Sequence, residues 1–403
     1  MSHVDPPSCP RDICDLPHFE ELAEPQFVWG SLDGLNCVSI ISKSYDVVVH
    51  WRPNLFRLPA GRTGEHFVKE LSRLFTAFAS KSSLESIALK AAFLFQNLIL
   101  QRPSTKTRPK DISDHIDRRL SLWHEGAFSE LLHECQTIQS HLPKMSPSSR
   151  NDDLARDFAN LMTDGRVGQA LRLLNHKSKG RVLDLDSHIN ADDPSSSLVR
   201  DVLHEKHPPQ GPIDPEAILL NETIPADHDP HFVLFENLNS DLIRKTALRT
   251  SGAAGPSGVD ALGWRRFCTS FKASRDLCHS LASVARRLCT SYVDPSSLSA
   301  FVAGRLIALD KNPGVRPIGV GEVARRIICK AILALLNPDI LEAVGSLQLC
   351  AGQDSGCEAA VHFIRHLYSD PSTDGLLFVD ASNAFNSLNR EVALRNILHL
   401  VEF

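Results

Sequence analysis

Four apolar residues followed by a carboxylate, Leu376-Leu-Phe-Val379-Asp380, form the passage of this 403-residue sequence with the clearest chemical content. An apolar run of that length is expected to be a buried strand, and the aspartate at its end is then held partly desolvated with its oxygens pointing off the sheet. Such a carboxylate suits Mg²⁺, which takes one or two carboxylates together with substrate phosphates. The same Asp380 equally serves as the cap of a helix beginning near Asn383. Two cations lie on a second pattern. Arg305–Leu309 and Val315–Val320 are short β-like runs joined by Asp310-Lys-Asn-Pro-Gly314, whose Pro-Gly marks a hairpin turn. A hairpin with a fixed turn aims Lys311 and Arg316 at one polyphosphate, Arg as a planar clamp and Lys as a point charge. The plain alternative is a solvated basic hairpin.

Other chemical signals are weaker. Gly252-Ala-Ala-Gly-Pro-Ser-Gly258 is glycine-rich but lacks the Gly-Lys-Ser/Thr of a phosphate-binding loop, which argues against a nucleotide hydrolase. His204-Glu-Lys-His207 is one residue short of a zinc-protease motif and reads as a polar helix end. Cys9, Cys14 and His18, with His3 nearby, fit no standard zinc finger and read as surface residues. The ten cysteines are scattered without a C-x-x-C pair, so a reducing compartment is expected. Met1–Asp15 holds prolines and aspartates where a secretion signal needs an apolar run. The longest apolar stretches, 87–100 and 327–336, fall short of the ~20 residues of a membrane crossing. These features lead to the expectation of a soluble protein.

The net charge of -5 conceals a polar division. Residues 244–330 hold 15 Lys+Arg against 5 Asp+Glu, a balance of +10, whereas 331–403 hold 3 against 9, or -6. A basic block between acidic ones is the electrostatic footprint of a phosphate backbone as partner. Within it Arg286 and Arg287, on the helix face opposite Leu277, Leu281, Val284, Ala285 and Leu288, and Arg325 and Arg326 are the candidate nucleic-acid contacts, with a solvated face as the alternative.

The elements that must position these residues follow from periodicity. Tyr45–Trp51 alternates like a short strand. From Glu65, Phe67, Val68, Leu71, Leu74, Phe75 and Phe78 recur at helical spacing, and further helices are expected at about 84–101, 112–123 and 127–141. Leu154, Ala155, Phe158, Leu161 and Met162 make another stripe, and a connector rich in Pro, Asp and His runs from 179 to about 229. After the hairpin, helices are expected at about 323–336 and 355–368, and from Arg390 onward.

Taken in order, four passages resemble the reverse transcriptases, especially the non-LTR retrotransposon and group II intron branch. Gly255-Pro-Ser-Gly258-Val-Asp260 resembles the opening motif of that family, and Arg305-Leu-Ile-Ala-Leu-Asp-Lys311-Asn-Pro-Gly314-Val-Arg316-Pro-Ile318 its fingers hairpin. Gln348-Leu-Cys-Ala-Gly352-Gln-Asp-Ser-Gly356 is similar to its glutamine-glycine motif, and Leu377-Phe-Val-Asp380-Ala-Ser-Asn-Ala384-Phe385-Asn386-Ser-Leu388 to its first catalytic motif. The resemblance spans about 140 residues, from 250 to 391, and says little about residues 1–240. It implies an α+β fold: a helical N-terminal region (1–145), a helix pair and irregular connector (146–243), then the fingers and truncated palm of a right-hand polymerase (244–403). By the same resemblance Asp380 is a catalytic metal ligand for Mg²⁺, Lys311 and Arg316 hold the incoming triphosphate, and Phe385 lies beneath its sugar. Gln348, Gly352 and Gly356 would shape the nucleotide pocket, although a plain helix N-terminus explains them as well, and a core phenylalanine explains Phe385. The implied partners are an RNA template, a DNA primer and deoxynucleoside triphosphates, in cytoplasm or nucleus, with no membrane. The pattern departs from the family at Ala381 and Asn386, and the paired aspartates of the second catalytic motif are missing before Phe403. Two-metal phosphoryl transfer needs several carboxylates. The chain is therefore expected to be truncated and inactive alone, or else a non-catalytic nucleic-acid-binding or scaffold protein derived from a mobile element.

Overall fold

A computed structural model of the chain describes residues 34–103, 108–142, 150–163, 165, 167–168, 170–171, 182–189, 193, 195–218, 232–311, 314–345, 348–349, 355–381 and 383–400. In order the elements are α1 (Gly34–Val48), α2 (Arg62–Ala79), α3 (Glu85–Leu100), α4 (Pro109–His124), α5 (Phe128–Ser140), α6 (Arg150–Thr163), α7 (Val199–Glu205), α8 (Phe232–Phe235), α9 (Ser240–Arg249), α10 (Ala261–Thr269), α11 (Ser274–Thr290) and α12 (Ser299–Val302). Then come β1 (Gly304–Asp310), β2 (Val315–Gly321), α13 (Val323–Val344), α14 (Gly356–Ser369), α15 (Ala384–Ser387) and α16 (Arg390–Leu400). The arrangement is α+β: helices dominate, and β1 pairs with β2 in a two-stranded sheet.

The chain divides into two units, one of residues 1–143, 230–304 and 321–335, the other of 144–229, 305–320 and 336–403. The division at 143 lies beside the expected boundary at 145. No break follows 243, because the N-terminal helices close no core of their own: one continuous buried cluster runs from Ile41 to Cys135 and from Leu238 to Ala331. The reason is visible in α2. Its stripe, Phe67 to Phe78, is fully buried, and α11 supplies Leu277, Leu281, Val284 and Ala285 from the sequence-distant side. At that contact Ser72 Oγ and Ser280 Oγ stand 3.3 Å apart. α3 is apolar all round, and a helix of that kind must be covered on every side; all residues from Ile87 to Leu100 except Lys90 are buried. α11 has Ala273 at its N-cap position, with no side chain to cap it. Glu65 of α2 stands at this end instead, its carboxylate accepting the Lys272 and Ala273 amides at 2.8 and 2.7 Å.

Two expected strands are absent. Tyr45 lies in α1, where Ile41, Tyr45 and Val48 follow the i, i+4, i+7 spacing of a buried helical stripe; the alternation of 45–51 was the weaker of the two periods. Leu376–Val379 forms no strand, and Leu377, Phe378 and Val379 are 88, 73 and 85% exposed. An extended segment becomes a strand only with a partner edge, and no described residue pairs with it. α13 also continues past its expected end at Leu336, through Pro338, whose missing N–H leaves the Ala334 carbonyl without its helical donor.

In the second unit the connector is less irregular than its composition suggested. Leu183 N donates to Ala308 O at 2.9 Å, adding a bridge to the outer edge of β1. α7 contributes Val199 and Leu203 to a small core with Ala308 and Val315. No helix among the described residues is long and apolar enough to cross a membrane.

Candidate nucleic-acid interface

The hairpin register decides which side chains meet. Lys311 N donates to Gly314 O at 3.0 Å, so residues 311 and 314 face each other and Leu309 opposes Arg316 across the ladder. Alternation then sorts the hairpin into two faces. Ala308 and Val315 lie on one and are buried against α7. Arg305, Ile307, Leu309, Lys311, Arg316, Ile318 and Val320 lie on the other, and none of them is fully buried. Lys311 and Arg316 are exposed, and neither side chain makes a hydrogen bond or ion pair with a described residue. The sequence reading placed both cations on this hairpin but missed Arg305. The alternation 305, 307, 309, 311 was the available signal.

The other expected site residues lie on other segments of the chain. Asp380 is exposed, outside any strand. It does not cap α15 either: the cap position is Asn383, in the left-handed region at φ 52. Gln348 is exposed between α13 and α14, Gly356 is the buried first residue of α14, and Gly352 lies outside the described residues. Phe385 belongs to the backbone of α15, and its side chain lies outside what is described. Cys9, Cys14 and His18 are likewise outside. Among the described residues no three His, Cys, Asp or Glu side chains come together as a metal site. One exposed carboxylate is not the donor set of a two-metal centre.

The four candidate arginines brace the helical unit. Arg287 does not share a solvated face: it is 6% exposed, donates to Phe78 O and to the Glu85 carboxylate, and stacks its guanidinium 4.7 Å from the Phe78 ring centre. Arg286 donates to Leu238 O and Ser283 Oγ, both at 3.0 Å. Arg325 donates to Val302 O at 2.7 Å, and Arg326 to Ser251 O at 3.0 Å and to Ala253 O. A guanidinium tied to a backbone carbonyl across the fold is a strut, and the phosphate contacts expected of these residues have no free geometry behind them at Arg287.

Arg326 leads to a feature the sequence reading overlooked. Residues 251–258, which include the glycine-rich opening motif, are latched onto the start of α13. Glu322 is fully buried, and its two carboxylate oxygens accept from Ser257 N and Ser257 Oγ, each at 2.7 Å. The approach demands glycine: a Cβ on Gly255 would stand 2.8 Å from the Glu322 Cα. Burial is the main influence on this carboxyl and pushes it up to about 7; the Ser257 bonds and the charges of Arg325 and Arg326 pull the other way. The Tyr45 hydroxyl is buried nearby with no hydrogen-bond partner, and burial, then the Glu322 charge, raises its pKa. A lone glutamate inside a block of +10 was the legible signal.

No protein-family model, curated protein or solved structure matches this chain. Fold and site together define an α+β protein with a cationic hairpin face and a latched glycine-rich loop.

Proposed function

We propose that the chain is a reverse transcriptase-like protein of a mobile element, whose hairpin face binds the phosphates of a nucleotide or of a template-primer duplex. The observation that carries this reading is the shared, unpaired face of Arg305, Lys311 and Arg316, in the second of four motifs that occur in the order of that family. An arginine fork and a lysine point charge on one rigid ladder suit polyphosphate recognition. Asp380 would contribute one carboxylate toward Mg²⁺ in such an enzyme; the metal would supply charge stabilisation at the transferred phosphoryl group. Because no three His, Cys, Asp or Glu side chains come together among the described residues, the chain by itself is read as binding without polymerising. A non-catalytic nucleic-acid-binding role is the second reading, favoured by the exposure of Asp380 outside any strand.

The test uses the full chain with a labelled RNA–DNA hybrid and with a deoxynucleoside triphosphate, each at low and physiological salt. Both ligands should bind with an affinity that falls as salt rises, and Lys311→Ala with Arg316→Ala should weaken triphosphate binding at least tenfold. Salt-independent binding, or an affinity for both ligands that ignores the double substitution, would sink the proposal.

A further inference from the structure

The helical unit contains a cationic pocket that the hairpin reading does not use. Its volume is about 570 Å³, within the range of small-molecule sites. Leu55–Leu58, between α1 and α2, form one wall; Gly258–Asp260 and a face of α10 form another. Backbone contacts fix the first wall to the end of α3. Phe56 N donates to Leu100 O at 2.7 Å, and Leu55 bridges to Gln101. Gly258, at φ +83, approaches so closely that a Cβ there would stand 3.0 Å from Leu55 Cδ1.

Three arginines, Arg57, Arg265 and Arg266, line this pocket against one carboxylate, Asp260. Asp260 is already engaged: its Oδ1 accepts the Gly263 amide at 2.8 Å and caps α10. Arg266 uses Nε on Leu58 O at 2.9 Å, which leaves its two terminal nitrogens. Arg265 donates from Nη2 to Thr250 O at 3.4 Å, but its Nε is buried with no hydrogen-bond partner. Arg57 is exposed and makes no hydrogen bond or ion pair with a described residue. Three guanidinium groups lining one pocket against a single carboxylate leave an excess of positive charge there, which suits an anion with several acceptor oxygens, and a phosphate is one. Beside them the wall is apolar, with Leu55 half-buried and Leu262 67% exposed.

We propose that this pocket binds a nucleotide: the arginines take the phosphate, and Leu55 and Leu262 take the base. The same chemistry is offered by a free nucleoside monophosphate and by one nucleotide of a single strand. Uridine monophosphate and a short oligouridine distinguish the two, measured on the full chain in a Lys311→Ala/Arg316→Ala background that removes the hairpin cations. Arg57→Glu and Leu262→Asp are the probing variants, both at exposed positions, with melting temperature as the check that they fold. If the monophosphate binds and each variant weakens it tenfold or more, the ligand is a free nucleotide. If only the oligonucleotide binds, with the same losses, the pocket reads a strand. Binding of neither probe, or an affinity that ignores Arg57, overturns the site. Loss with Arg57→Glu alone, at unchanged affinity in Leu262→Asp, overturns the place given to the base. Since the hairpin is disabled throughout, these outcomes are separate from the fate of the hairpin reading.

Discussion

Replacing Glu322 by Gln should change how stability depends on pH while leaving the loop latched. Gln is isosteric: its carbonyl oxygen can accept from Ser257 N and its amide can donate to Ser257 Oγ, the groups Glu322 now meets at 2.7 Å. What disappears is the charge. Burial holds the Glu322 carboxyl at about 7 against 4.5 in the free chain, so between these values the folded state keeps a proton that the unfolded chain has released. Stability must therefore be highest at the acid end, fall as pH rises through 7, and level off above it. At about 1.4 kcal/mol per pKa unit the full cost of ionising Glu322 in place is about 3 kcal/mol, and about 2.5 kcal/mol of it develops between pH 5 and 8. Arg325 and Arg326 from α13, Ser257 from the loop and Tyr45 from α1 are the charged or polar groups that face this carboxyl; the Tyr45 phenol, raised above its usual range, does not titrate in the window. The assay is thermal or denaturant unfolding of both proteins across that range. The two should be nearly equal at pH 5, and the Gln variant should be more stable at pH 8, by roughly 5–10 °C for a unit of this size. A difference that stays constant with pH, or a wild-type protein that gains stability on going from pH 5 to 8 relative to the variant, would refute the argument.

Two further outcomes follow from the placement of single side chains. Arg287→Ala should lower stability by about 3 kcal/mol, because it strands a buried carbonyl and the Glu85 carboxylate, and should leave RNA affinity of the folded protein within about twofold; an unchanged melting temperature with a large loss of RNA affinity would return Arg287 to the interface. The full chain should incorporate no deoxynucleotide on a primed RNA template with Mg²⁺, since no three His, Cys, Asp or Glu side chains gather as a metal site among the described residues; incorporation that vanishes in Asp380→Asn would overturn that.

Helix formation was legible wherever one period was strong and long. The six apolar positions of α2 and the dense apolar run of α3 each allow one reading, and both helices form within two or three residues of the expected ends. The pairing of helices was not legible, because periodicity gives the direction of an apolar face but not its partner. The face of α2 is closed by α11, about 200 residues later, and nothing local to either helix announces the pairing. Tyr45–Trp51 failed for a related reason: a seven-residue window cannot separate alternation from a helical stripe that begins at Ile41, four residues before it.

The candidate site divides along the same line between local and non-local information. Lys311 and Arg316 could be placed from sequence because a hairpin is self-contained: its turn fixes the register, and the register fixes the face. Asp380 could not. The four apolar residues before it carry the pattern of a buried strand, yet that pattern is a requirement for a neighbour, and among the described residues none meets it. Three consecutive large apolar side chains left 73–88% exposed are costly in water. The sequence from Leu376 to Asp380 is thus better suited to a sheet than to the exposed path it follows. A partner strand, whether from further chain or from another molecule, would bury Leu377 and Val379 on one face and Phe378 on the other, and would bring Asp380 to a sheet edge where a carboxylate can meet a metal and a phosphate. The hairpin needs no such partner to present Lys311 and Arg316, because its two strands pair with each other.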